Sequence, residues 1–300
     1  MIILCLPRPV AAERGPAGLV PGAGGRIFPG MNLPFLSRAP RVAVVRLHGA
    51  IMASASPVAG QALNLASLAP VLQRAFSLRR ARAVFLVINS PGGSPVQSSL
   101  IAQRIRALAE EKKLPVVAFV EDAAASGGYW LACAADEIIA DPGSILGSIG
   151  VISQGFGFGG AMAKLGVERR LRTAGTEKSF WDPFGPERPA DLERLDALLA
   201  ELHAEFRAWV VERRGARLTA PAEELFTGRF WAGRRAVELG LADGLGEIRS
   251  EARRRYGPRV DLVVFGGRRR GLLSRLMPGL SAEALLAVAE ERALWGRLGL

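Results

Sequence analysis

The run Val84-Phe85-Leu86-Val87-Ile88, followed by Asn89-Ser90-Pro91-Gly92-Gly93-Ser94, decides the fold. Its apolar half is short and rich in β-branched residues, so it reads as a strand buried on both faces, and the Pro-Gly-Gly behind it stops that strand. From Ser98 to Glu111 apolar residues return at three- and four-residue intervals, the period of a helix that packs back on the strand. Strand, glycine turn and helix make one unit of a parallel α/β sheet. The turn then lies at the carboxyl edge of the sheet, where such folds carry their sites.

The same alternation extends in both directions. Val42 to Leu47, Val116 to Val120 and Glu137 to Ala140 read as further buried strands, and Leu68 to Phe76 as a helix. Ala125 to Ala135, dense in Ala and Gly, reads as a closely packed helix. Asp191 to Arg214 carries Leu192, Leu195, Leu199, Leu202, Phe206 and Trp209 on one face, a stripe suited to core packing. Arg234 to Leu239 reads as a helix ended by Gly240, and Leu262 to Phe265 as a closing strand before Gly266-Gly267. The expected organisation is an aperiodic Gly/Pro/Ala-rich leader over 1–40, with Met31 as a second start, an α/β domain over 41–265, and a basic amphipathic tail over 266–300. In that tail Arg268, Arg269, Arg270 and Arg275 flank Leu272, Leu273, Leu276 and Met277, and an apolar-periodic segment runs from Ala282 to Leu298. Such a tail suits a partner protomer, an anionic membrane surface or the edge of the sheet.

The composition narrows the function classes. With 300 residues, 49% apolar and 22% charged, the chain has ample material for a core, which disfavours disordered and collagen-like classes. Two cysteines, Cys5 and Cys133, are too few and too far apart for a disulfide scaffold or a zinc pair. A net charge of +11 raises nucleic acid or anionic lipid as partners, but no motif for nucleic-acid readout accompanies it, so no nucleic-acid partner is expected. No apolar run approaches the roughly 20 residues of a spanning helix. The expectation is therefore a cytoplasmic protein, at most peripheral at the inner membrane.

Three glycine-bearing turns carry candidate chemistry. Asn89 to Ser94 lacks both the Gly-Lys-Ser/Thr of a phosphate loop and a GxGxxG, so Gly92 and Gly93 suit a developing oxyanion better than a phosphate; a plain tight turn is the alternative. Ala123-Ala124-Ala125-Ser126-Gly127-Gly128-Tyr129 crowds small residues around one hydroxyl, that of Ser126, at a helix start. Gly147-Ser148-Ile149-Gly150-Val151 presents a second, Ser148. A base for Ser126 must come from His48 at a strand end, from His203 on the long helix, or from an amine. His203 reads as a helix-surface residue beside the stripe. Only four of the 39 basic residues are lysines, and arginine keeps its proton at any working pH. Lys112, Lys113 and Lys164 sit in ordinary solvated positions, whereas Lys178 lies in Thr176-Glu177-Lys178-Ser179-Phe180-Trp181-Asp182-Pro183-Phe184, among aromatic side chains able to strip water from an amine.

Taken in order, Asn89-Ser90-Pro91-Gly92-Gly93, Ala125-Ser126-Gly127-Gly128-Tyr129, Gly147-Ser148-Ile149-Gly150-Val151 and Lys178 with Pro183-Phe184 strongly resemble the signal peptide peptidase A family of serine-lysine peptidases, family S49. Gly228-Arg229-Phe230-Trp231-Ala232-Gly233-Arg234-Arg235-Ala236 and Gly240-Leu241-Ala242-Asp243 extend the resemblance, which covers about 41–265 and looks like the short, single-repeat form. It implies a crotonase-like (ClpP-type) α/β fold in a homo-oligomer with sites at protomer interfaces. It also implies hydrolysis of remnant signal peptides or other membrane-derived peptides, without a cofactor or metal. Ser126 matches the nucleophile, Lys178 the general base, Ser148 the hydroxyl that orients the amine, and Gly92, Gly93 and Gly127 the oxyanion backbone. Serine and lysine can come from different protomers in this family. Two departures stand out: the usual amino-terminal anchor is missing, and Glu177 replaces a small or aromatic neighbour of the lysine, where it favours the protonated amine unless it points away. Two rivals are a non-catalytic membrane-associated scaffold of the same family and a crotonase-type acyl-CoA enzyme, which would want a carboxylate base.

Overall fold

In the computed structural model the strand expected at Val84–Ile88 is the centre of β2, Ala81–Ser90, with β1, Arg41–His48, on one side and β3, Val116–Ala125, on the other. The residues described are 39–53, 62–266, 289 and 291–300; the expected leader and the arginine cluster of the tail lie outside them. Helix α1, Leu65–Phe76, connects β1 to β2, and α2, Pro95–Lys112, connects β2 to β3. Then follow α3, Gly127–Ala132; β4, Glu137–Ala140; β5, Ile145–Gly147; and α4, Gly159–Lys164. The long α5, Pro189–Arg214, precedes α6, Ala222–Leu225; β6, Phe230–Ala232; α7, Gly233–Glu238; β7, Gly244–Leu245; α8, Ile248–Tyr256; and β8, Asp261–Phe265.

The strands form one sheet in the order β6-β5-β3-β2-β1-β8, with β4 on β3 and β7 on β4. Every pairing is parallel except β5 with β6. Parallel strands need cover on both faces. Leu47, Leu86, Ile88 and Val120 face one side, against Leu72 of α1, Ile101 and Ile105 of α2 and Leu131 of α3. Val42, Val44, Phe85, Val87 and Phe119 face the other, against Ala252 of α8. This explains why the strands read as continuous apolar runs rather than alternating ones.

Strand β3 is the hinge of the architecture. It pairs along one side with β2, while its other side takes β4 over Val117–Val120 and then β5 over Ala123–Ala125. Glu121 and Asp122, between these two pairings, are exposed, and the β2 register slips between Ile88 and Ser90. Asn89 stitches the slip: its Nδ2 donates to Asp122 Oδ2 at 2.5 Å, and its Oδ1 accepts from Ala123 N at 3.2 Å. The strand therefore runs on to Ala125, and the helix expected from Ala125 to Ala135 is the shorter α3.

Beneath α3, Tyr129 Oη donates to Leu241 O at 2.9 Å. Arg214, only 1% exposed, is neutralised by Asp243 at 2.6 Å and donates to Gly240 O at 2.6 Å. A buried guanidinium is tolerated only with such partners. Gly240 is required here: φ is +76°, and a Cβ would fall 1.8 Å from Arg217 O. Burial pushes the Cys133 thiol up to about 12, so it stays protonated under α3.

One expectation is corrected. The stripe on α5 is core only toward its carboxyl end, where Phe206 and Val210 are buried; Leu192, Leu195 and Leu199 are half-buried and Leu198 is exposed. A helix period reports an apolar face but not whether a single chain covers it.

Candidate active site

The carboxyl ends of β2, β3 and β5 bring three turns together. Ser126 follows β3 with φ +51° and ψ −122°, a conformation that costs a non-glycine residue on the order of 1–3 kcal/mol and is kept only where its surroundings enforce it. They do: Ser126 N donates to Gly147 O at 2.8 Å, and Ser126 O accepts from Tyr129 N at 2.9 Å and Trp130 N at 3.0 Å. The Ser126 hydroxyl makes no cap to its own helix.

The glycine turn lies directly against this serine. A Cβ on Gly92 (φ +100°) would stand 2.8 Å from Ser126 Cβ and 2.8 Å from Gly127 N, and one on Gly93 (φ +138°) would stand 2.0 Å from Ile51 O. Ile51 clamps the turn as an extra strand would, with Ile51 N donating to Gly92 O at 2.8 Å and Ser94 N to Ile51 O at 2.7 Å. The Gly92 N–H is committed to Ser90 Oγ at 3.3 Å. The N–H groups of Gly93 and Gly127 donate to no group among the described residues. Of the three glycines expected to supply oxyanion donors, Gly93 and Gly127 thus have amides to give, while Gly92 supplies the close approach.

Ser148 is held at the same cavity by the Gly228–Ala236 segment. Its φ is +52°, its N–H donates to Arg229 O at 2.7 Å, and Gly228 N donates to Ile149 O at 3.1 Å. Gly147 (φ +109°) lets Trp231 lie flat on the turn, since a Cβ would meet the indole at 2.9 Å. Ser126 and Ser148 line one cavity of about 390 Å³, with Gly93, Gly127, Trp130, Ile152, Phe206 and Phe230 among its walls. Trp130 and Phe206 stack at 4.7 Å. Leu294, Arg297 and Leu298, from the carboxyl-terminal helix and turn, also line the cavity, and Leu298 is buried.

Lys178 is placed elsewhere. It lies in an exposed turn of the segment between β5 and α5 and does not line the Ser126 cavity. Its acidic neighbour Glu177 is engaged with Arg194 of α5. Ile152, Phe156, Leu165, Val167 and Leu171 of the same segment are exposed, Phe156 at 81% and Leu165 at 78%. His48, the alternative base, lies at the end of β1 beside Glu121 at 3.1 Å and likewise does not line the cavity. Burial holds its pKa below the usual value against the pull of Glu121. His203, expected on the helix surface, is half-buried with Nε2 3.2 Å from Ile149 O. Nothing in its local sequence distinguishes it from a solvated helix residue; only the docking of α5 does.

A parallel α/β sheet with a strained serine and unengaged backbone amides at its carboxyl edge defines the class, and residues 108–256 match the family model of peptidase family S49. The chain belongs to that family. It is 32% identical over 214 residues to the chloroplastic serine protease SPPA of Arabidopsis thaliana, covering 69% of this chain and 31% of that protein. It is 31% identical over 230 residues to protease 4 of Haemophilus influenzae, covering 75% and 36%. It is 50% identical over 274 residues to a Brucella abortus protein named Na(+)/H(+) antiporter NhaA, covering 86% of this chain and 37% of that protein. This chain thus spans about a third of the length of these relatives. The antiporter name has no counterpart in the described residues, where no helix is long and apolar enough to cross a membrane.

Proposed function

We infer that the chain is a serine peptidase of ClpP-type fold that works by a Ser126–Lys178 dyad completed between two copies of the chain. The observation that carries the reading is the strained, half-buried Ser126 lying against the unengaged amides of Gly93 and Gly127 in a mostly apolar cavity. Neutral Lys178 takes the Ser126 proton, and the alkoxide attacks a peptide carbonyl. The Gly93 and Gly127 amides hold the tetrahedral oxyanion, and the Ser148 hydroxyl orients the amine. The lysine then protonates the leaving amine and activates water to release the acyl group from Ser126.

An exposed lysine on a segment whose apolar side chains lack cover is what a second copy would bury. That segment of one protomer, laid over the cavity of its neighbour, would bring Lys178 to Ser126 and shield Phe156 and Leu165 in a homo-oligomer. The walls offered by Trp130, Ile152, Phe206 and Phe230 suit apolar side chains, such as those of membrane-derived peptides and cleaved signal sequences.

Mixing two inactive variants tests the arrangement. Ser126→Ala and Lys178→Arg should each lose at least about a hundredfold in peptide turnover, the low end for general acid–base catalysis. Co-assembled, they should regain turnover, because some interfaces pair an intact serine with an intact lysine. Two dead variants that stay dead when mixed, yet co-assemble, would show that the dyad forms within one chain. Near-normal turnover by Lys178→Arg would remove the lysine from the mechanism.

A further inference from the structure

We propose that His203 is a positioning residue of this site, holding the Ser148 turn from helix α5; the inference rests on the reading of Ser148 as the hydroxyl that orients the lysine. The imidazole Nε2 lies 3.2 Å from Ile149 O. A carbonyl can only accept, so Nε2 carries the proton and donates. The same carbonyl takes the Gly228 N–H at 3.1 Å, and the Ile149 side chain is fully buried. Ser148, one residue earlier, sits at φ +52° with its N–H on Arg229 O at 2.7 Å. A serine leaves that conformation unless its flanks are fixed. Arg229 fixes the Ser148 N–H, and Gly228 and His203 together fix the Ile149 carbonyl that follows it.

His203 is not alone on this face of the helix. Three residues on from His203, on the same face, Phe206 is buried, lines the cavity and stacks on Trp130. Helix α5 thereby sets both a wall of the cavity and the seat of the Ser148 hydroxyl.

Steady-state kinetics of the assembled full-length enzyme test the role. His203→Leu should lower kcat about 3- to 10-fold, the size of one net hydrogen bond, with KM and the melting temperature nearly unchanged. His203→Gln, which keeps an N–H donor at similar reach, should recover most of the loss. Combined with Ser148→Ala, His203→Leu should add nothing to the loss caused by Ser148→Ala alone. Multiplying losses in the double variant, or failure of His203→Gln to recover kcat, would overturn the relay through Ser148 and leave the Ser148 reading standing. Ser148→Ala with normal turnover would overturn that reading and the relay with it.

Discussion

The turns around Ser126 and the segment that carries Lys178 are opposite in construction. Gly92, Gly93, Ser126 and Ser148 sit where three strands end, all at positive φ; backbone hydrogen bonds fix Gly92, Ser126 and Ser148, and the clamp of Ile51 on Gly92 and Ser94 holds Gly93 between them. Lys178 lies in an exposed turn amid uncovered apolar side chains. Strain is affordable in the first region because a parallel sheet with both faces covered over-determines it. The second region has no such frame within one chain. The turns around Ser126 are prebuilt by the fold, whereas Lys178, the base in the proposed mechanism, has nothing within one chain packed against it.

The sharpest way to break this contrast is to disturb the prebuilt half alone. Gly93→Ala forces a Cβ onto Ile51 O and displaces the amide proposed to hold the oxyanion. Turnover should fall by about 10² to 10³, the cost of one lost oxyanion donor, while fluorophosphonate labelling of Ser126 slows in parallel. Normal kinetics in a folded Gly93→Ala enzyme would remove that amide from the site.

The support beneath α3 should show in stability first. Arg214→Ala leaves Asp243 without its buried partner and should destabilise the protein by about 3–5 kcal/mol in urea unfolding. A loss of activity without loss of stability would mean that the Gly240–Asp243 motif acts on the chemistry rather than under it.

Changing the exposed half should do the reverse. Phe156→Glu with Leu165→Glu should shift sedimentation toward smaller species and reduce turnover, with protomer stability within about 0.5 kcal/mol, as for ordinary surface positions. Unchanged assembly would show that this face is not the interface.

The smallest effect is expected far from both regions. Arg254 and then Arg255, hydrogen-bonded to the Glu251 carboxylate, hold its pKa down at about 2. A carboxyl lowered in the folded state contributes stability that is full above its unfolded value near 4.3 and is lost as the pH falls toward 2. Thermal melts of Glu251→Gln should therefore lie about 1–3 °C below wild type at pH 7, and the gap should close near pH 2. Activity at pH 7 should not change.

The sequence by itself was enough for the strands at Val42–Leu47 and Val84–Ile88, the strand-helix alternation and the family, because a doubly covered parallel strand announces itself as a nearly continuous apolar run, broken in Val42–Leu47 only by Arg46. It also singled out Ser126, Ser148 and the Gly92–Gly93 turn, since positive φ and close backbone approach leave glycine and small residues as their mark. Only the tertiary structure could separate Gly92 from Gly93 and Gly127, because which amide is already spent depends on Ser90 Oγ folding back onto it. Only it could bring His203 to Ile149, a contact between residues 54 positions apart that leaves no periodic trace. The apolar stripe of α5 read as core along its whole length, yet one chain covers only its carboxyl end, because hydrophobic spacing encodes a face to be buried and the surrounding structure decides what buries it.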